Sequence, residues 1–234
     1  MASNSNDLTG NGPVDSAGTD SAGTDSAGVV PKIARPTTKL TLADISDVRA
    51  YERERDVLRT EMIALKARRR VHVGTIMAFN FENRFTMRFQ VQEMARIEKL
   101  LTDEGIQAEL DVYNPLIPQP GHLSATLFIE CTTEDQMREW FPKLVGIERS
   151  VELRIGEGTD AIIARCVPDA THEAQLTREE MTAAVHYISF PVGAEHADVF
   201  RSGPVRLVVV HPDYLEEAEL GETARLELSG DLFG

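Results

Sequence analysis

The sequence predicts an α+β protein in which mostly antiparallel sheet packs against helices behind a disordered N-terminal tail. Three observations predict it. Apolar runs of strand length, SATLFIEC from Ser124, AAVHYISF from Ala183 and VRLVVVH from Val205, are bounded by turn-forming residues. Helical periodicities over 41–70, 86–105 and 133–145 interrupt these runs irregularly. Two further segments, 71–86 and 150–166, double back through tight turns and leave no room for the crossovers that a doubly wound parallel sheet requires.

The elements follow in order. DSAGT, DSAGT and DSAG stand in tandem from Asp15 to Gly28, and such small polar residues bury too little surface to offset their ordering entropy. Residues 1–36 are therefore expected to be a disordered low-complexity tail. Residues 37–234 are expected to form a single globular domain, with Gly146 the point at which it would subdivide. Thr41 to Arg70 predicts a short capped helix and then a longer one, with Tyr51, Leu58, Met62 and Leu65 along one side. Residues 71–86 predict a hairpin turning at Glu82 and Asn83. The next helix ends at Gly105, and 106–113 form a short helical turn. Asn114, Pro115, Pro118, Pro120 and Gly121 make a rigid connection. After the strand at Ser124, Thr133 caps a helix that stops at Gly146. The hairpin beyond it turns around Glu157 to Asp160. The final segment is expected to start a helix with Pro212 at its first position and to end in an acidic amphipathic stretch closing on Leu232.

Bulk properties narrow the function classes. The net charge of −14 is unevenly spread: residues 32–99 carry 15 Lys or Arg against nine acids, and residues 100–234 carry nine against 25. So acidic a chain is unsuited to sequence-independent nucleic-acid binding, and attraction between the two parts is the simpler reading. The two cysteines, Cys131 and Cys166, show no metal-binding or disulfide spacing. With no basic-then-apolar leader and no long apolar stretch, a cytoplasmic protein without a membrane anchor is expected.

No phosphate-binding glycine loop, zincin or nucleophile-elbow motif is present. The site candidates instead come from misplaced polar residues. On the helix 86–105, Met87, Val91, Met94, Ile97 and Leu101 form an apolar stripe, and Gln90 and Glu98 fall about 40° to either side of Met94. A buried carboxylate needs a partner, so Glu98 calls for a cation or a metal. Arg55, Arg59, Lys66 and Arg70 border the apolar side of the preceding helix and are candidates for an ion pair or an anion site; solvated stems are the plainer alternative. His186 lies on the same strand face as Ile188 and Phe190, either as a satisfied core residue or, with Glu98, as a ligand for iron, manganese or zinc. Gln90 would orient the ligands, and Glu93 would assist or simply pair with Arg96 or Lys99 at the rim. Glu82, Glu109 and Glu130 are further acidic candidates, with Glu130 equally able to cap a helix. Tyr113 and Asn114 either fix the proline loop or make it a pocket wall. His211 is expected to serve as a structural cap.

FEN at 81–83, QVQEMARIE at 90–98, ELDVYNPLIP at 109–118, SATLFIE at 124–130 and TAAVHYISF at 182–190 together resemble a bacterial family catalogued as domain of unknown function 3501. The resemblance runs from about Lys39 to the closing HPDY and GDL segments. It implies a setting near rubrerythrin-like di-iron proteins and iron-sulfur or flavin-linked oxidoreductases, and it assigns no catalytic residue. Two expectations result. The first is an accessory protein that docks an oxidoreductase or rubrerythrin-like partner in an iron-linked, peroxide-handling system. The second is an enzyme dependent on non-haem iron or manganese, acting on a small anionic substrate held by Arg59 or Lys66.

Overall fold

The computed structural model describes residues 37–170 and 180–233. The tail expected over 1–36 lies outside the described residues. The described residues all belong to one compact unit.

Two antiparallel sheets organise it. The first runs in the order β1 (Arg70–Val73), β2 (Met77–Glu82), β3 (His122–Ile129), β7 (Val185–Pro191), β6 (Val167–Pro168). The second runs β5 (Ile162–Arg165), β4 (Val151–Ile155), β8 (Val205–His211), β9 (Tyr214–Glu219). Every strand pairing among the described residues is antiparallel, so the α+β expectation holds. Alternation along the strands decides what meets what. Phe79 and Phe81 of β2, Leu127 of β3 and Phe190 of β7 enter the same core as Leu153 of β4 and Leu207 of β8. The opposite face of the first sheet carries Asn80 and Glu82, Ser124 and Thr126, and Tyr187 and Ser189, which stand opposite one another in two cross-strand rows. All six residues of β2 are buried, so this polar face is covered as well.

The cover comes from a second, smaller core. Met87 and Val91 of α2 (Arg84–Ile97), Leu110 of α3 (Asp103–Tyr113) and Leu116 and Ile117 of the proline loop cluster there, with Tyr113 and Tyr187 packed against them. The first long helix, α1 (Val48–Arg69), follows a short 3-10 turn at Leu42–Asp44, as expected. The helix α4 (Glu134–Lys143) is capped by Thr133 and stopped at Gly146, whose φ of 87° suits glycine. The last helices are α5 (Ala197–Ser202) and α6 (Glu222–Phe233).

The structure corrects three expectations. The first hairpin turns at Gly74 rather than at Glu82 and Asn83; Gly74 has φ 61°, and a Cβ there would lie 2.2 Å from the Tyr214 hydroxyl. Tyr214 Oη donates to Val73 O at 2.9 Å and accepts from Thr75 N at 3.0 Å, so a side chain from the second sheet closes the turn. Asn83 is instead the N-cap of α2, its Oδ1 accepting from Phe85 N and Thr86 N. The helix expected to run to Gly105 ends at Ile97, with Lys99 at φ 57°, and Gly105 belongs to α3. Beyond His211 the chain does not begin a helix: it turns and returns as β9, because pairing with β8 satisfies its backbone along Arg206–His211.

Candidate ligand-binding site

The early end of α2 decides the fate of Glu98. It is the C-cap residue and is exposed, with Ile97 and Leu101 exposed to 60% and 81%. The buried face of α2 consists of Arg84, Thr86, Met87, Val91, Gln92 and Ala95, rotated by about one residue, roughly 100°, from the predicted stripe. The polar residues on this face explain the rotation. Arg84 pairs with Asp44 at 2.7 Å, Arg88 Nε donates to Asp44 O at 2.6 Å, and the Gln92 amide donates to Ser46 O and accepts from Ser46 N. Satisfied polar groups can be buried at little cost, so the segment before α1 lies on them rather than on Ile97.

The expected ion pair exists with a different acid. Glu93 accepts from Arg55 Nε at 2.8 Å, Arg55 Nη2 at 2.9 Å and Tyr51 Oη at 2.6 Å, and Arg96 joins at 3.3 Å. The Arg55 hydrogen bonds hold the Glu93 carboxyl down at about 2, and burial and Glu93 together push the Tyr51 phenol up. Arg59 is exposed and Lys66 half-buried, and neither enters the ion pairs of α1 among the described residues. Glu98 lies near another acid: burial and the Glu98 charge raise the Glu109 carboxyl. Arg70 pairs with Glu130 and donates to Asn80 Oδ1 at 3.2 Å, and the helix after Glu130 is capped by Thr133.

His186 is 2% exposed. Its Nε2 lies 3.0 Å from Ala183 O, which can only accept, and 2.8 Å from Thr182 Oγ1, while Nδ1 lies 3.8 Å from Glu148 Oε2. Its neighbours thus come from the segment before β7 and from Glu148, whereas Glu98 ends α2 beside Glu109. Among the described residues no three His, Cys, Asp or Glu side chains gather as a metal site. His211 Nε2 donates to Val145 O at 3.1 Å and its Nδ1 accepts from Asp213 N at 3.2 Å, so it ties the turn before β9 to the segment after α4 instead of capping a helix.

The polar groups that do converge are on the outer face of the first sheet. A cavity of about 150 Å³ is lined by Glu82, Pro115, Leu116, Ser124, Ala125, Pro168, Asp169, Ala170, Tyr187, Ile188 and Ser189. Glu82 is 5% exposed; its Oε1 accepts from Thr126 Oγ1 at 2.8 Å, and its buried Oε2 has no hydrogen-bond partner. Strand register places Ser124 directly opposite Glu82, and Ser189 directly opposite Ser124. The Ser189 hydroxyl donates to Val167 O at 3.4 Å. Burial, more than the nearby Tyr113 and Glu82, raises the Tyr187 phenol.

A buried network fixes the Glu82 end of β2. Arg69 Nε donates to Phe81 O at 2.8 Å and Nη2 to Glu82 O at 3.3 Å, while the same guanidinium pairs with Asp231 and with Glu227. Asn83 Nδ2 reaches Asp231 Oδ1 at 3.5 Å. The three residues of FEN therefore divide their work: Phe81 fills the core, Glu82 faces the cavity, and Asn83 caps α2 and reaches α6.

The proline loop does form a wall, but through Pro115 and Leu116, two residues beyond the tyrosine. Asn114 instead fixes the loop, its Oδ1 accepting from Leu40 N at 2.7 Å and its Nδ2 donating to Leu40 O at 3.0 Å, and Tyr113 packs in the smaller core. Gln90 is half-buried and does not line the cavity. Sequence reasoning passed over Ser124, Tyr187 and Ser189. The signal was the alternation itself, which puts hydroxyls on one side of strands whose other side is apolar apart from His186.

Residues 39–232 match the model of a family described as a protein of unknown function, DUF3501. A crystal structure of a protein of unknown function from Burkholderia pseudomallei is 35% identical, covering 83% of this chain and all of that one, with a TM-score of 0.74. No curated protein matches. Four of the five stretches that carry the family resemblance, FEN, ELDVYNPLIP, SATLFIE and TAAVHYISF, contribute to the cavity wall.

Proposed function

The chain belongs to the DUF3501 family, and from that premise we propose that it is a binding protein for a small polar ligand, held in the outer-face cavity, and that it serves as an accessory component of an iron-linked redox system. One observation carries the binding reading: a carboxylate, Glu82, faces a cavity with one buried oxygen unpartnered. An orphaned buried acceptor costs about 1–3 kcal/mol, more if charged, and a ligand donor would recover that cost. A cavity with convergent polar groups and apolar walls has the composition of small-molecule sites. The redox setting comes from the family resemblance. Two free thiols, Cys131 and Cys166, suit a reducing cytoplasm, and among the described residues no helix is long and apolar enough to cross a membrane.

The binding reading is tested by small-molecule mass spectrometry on protein purified from its own host, comparing the full chain with Ser189→Leu, which fills the cavity. A compound enriched with the natural chain and absent from the variant supports it. Absence of any such compound, together with no shift in melting temperature across a chemically diverse ligand set, rejects it. The redox setting is tested separately by capture at low ionic strength, where an identified oxidoreductase or rubrerythrin-like protein is the expected partner. Failure to retain any iron or flavin protein removes that half of the proposal.

A further inference from the structure

We infer that the corner where α2 ends and α3 begins is a docking surface for a partner protein, and that the partner presents a short amphipathic helix whose apolar side chains are flanked by Lys or Arg. This rests on the accessory-component reading above and adds the surface used and the chemistry of the segment it takes.

The apolar part of the corner is Ile97, Leu101 and Val112, exposed to 60%, 81% and 46%. Met87 and Val91, earlier in the same helix, lie in the smaller core, so apolar surface continues from that core into solvent where α2 stops. The Glu98 charge acts on Glu109, which places the end of α2 beside the middle of α3, one turn from Val112. Single exposed apolar residues are ordinary, but these stand on a fixed backbone. Lys99 reverses the chain at φ 57°, Leu100 N donates to Ala95 O at 2.9 Å, and Thr102 Oγ1 accepts from Gly105 N at 3.2 Å to open α3. Contact with a side chain held in this way costs less ordering entropy than contact with one on a mobile loop.

The apolar residues are set among like charges. Residues 97–113 contain five acids, Glu98, Asp103, Glu104, Glu109 and Asp111, and one cation, Lys99. All of the acids except Glu109 are exposed, and among the described residues none of the five enters an ion pair. Arg96, just before the corner, is engaged by Glu93 and Glu52. Glu109 shows the consequence: burial first and then the Glu98 charge raise its carboxyl. A cation from outside would relieve that repulsion.

This charge selects the occupant. Nucleic acid and an anionic lipid surface have the same sign as the corner and are repelled. A second copy presenting the same corner across a two-fold axis would set acid against acid. A basic amphipathic helix answers both features, because its apolar side covers Ile97 and Leu101 while its Lys or Arg side chains meet the surrounding carboxylates. The result is an apolar centre with a polar rim, as in helix recognition by protein surfaces.

The test is fluorescence anisotropy of the full chain with a labelled amphipathic helical peptide of leucine and lysine, against the same peptide with glutamate for lysine and with serine for leucine. The leucine–lysine peptide is expected to bind and the other two are not. Its affinity should fall about fivefold or more in Ile97→Ser with Leu101→Ser, and likewise in Glu98→Lys with Glu104→Lys. It should not fall in Glu61→Lys with Glu157→Lys, which makes the same charge change at exposed positions elsewhere. Circular dichroism checks each variant, and the serine pair alone carries the test should the lysine pair fail to fold. No binding of the leucine–lysine peptide, equal weakening by the two lysine pairs, or no effect of the serine pair would each overturn the inference. Dimerisation of the natural chain in sedimentation that the serine pair abolishes would assign the corner to a second copy and also overturn it. An iron or flavin protein captured by the natural chain and retained equally by the serine pair removes the corner while leaving the accessory reading intact. If no such protein is captured and the peptide does not bind, both fall together.

Discussion

Arg69 and Asp231, 162 positions apart, form a buried ion pair that joins the last residue of α1 to the C-terminal helix, with side-chain exposures of 1% and 4%. The pair also sets the position of Glu82, because the same guanidinium holds the carbonyls of Phe81 and Glu82. Breaking one side of such a pair leaves a buried charge alone. Arg69→Met should therefore cost about 3–5 kcal/mol in urea denaturation, and Arg69→Met with Asp231→Leu should recover much of the loss. An additive double variant would show that the pair does not act as a unit.

Glu82 should behave in the opposite way. Gln at this position keeps an acceptor for Thr126 and replaces a buried carboxylate, one oxygen of which has no hydrogen-bond partner. The ligand-free Glu82→Gln variant is expected to gain about 1 kcal/mol, a rise of roughly 2–4 °C in melting temperature for a domain of this size. A lower melting temperature would mean that the carboxylate is structural.

Glu93 gives an acid-sensitive joint between α1 and α2. Its carboxyl is held at about 2 in the folded chain against 4.5 without partners, first by the Arg55 hydrogen bonds and then by Tyr51 and Arg96. A depressed acid contributes stability that is fully present above the unfolded value and is lost as pH falls through the folded one. Stability should therefore drop between about pH 4.5 and 2. Glu93→Gln should cost about 1–2 kcal/mol at pH 7 and flatten the acid limb, as read from melting temperature against pH. An unchanged acid limb would assign the loss to other carboxylates.

The two thiols should differ in reactivity. Burial pushes the Cys166 thiol up to about 11, and its Sγ donates to Glu148 O at 3.2 Å and accepts from Val151 N at 3.3 Å. Cys131 is only partly covered. Iodoacetamide at pH 8 should label Cys131 first and reach Cys166 only when the domain opens, as read by peptide mass spectrometry. Equal labelling rates would place Cys166 on a mobile part of the fold.

Much of the architecture is a local property of the chain and could be read from it: the strands at Ser124, Val185 and Val205, the Thr133 cap, the stop at Gly146 and the antiparallel hairpin turning near Gly158 depend on alternation, caps and turns within a few residues. The two misread turns, at Glu82 and at Pro212, are places where a distant element satisfied the backbone instead. Tyr214 closes the Gly74 turn, and β8 pairs with the segment expected to be helical.

The candidate site was less legible for the same reason. Helical spacing locates an apolar stripe but not where the helix ends or which side its neighbour covers. Hydrogen bonds from the segment at Asp44 and Ser46 turned α2 by about one residue, left Glu98 in solvent and transferred the ion pair to Glu93. By itself the sequence determined the fold class, the family and the chemical groups on each strand face. Only the tertiary structure decided that Glu82, Ser124, Tyr187, Ser189 and the proline loop surround one cavity, because cross-strand register and the covering loop are set by contacts between residues far apart in the chain.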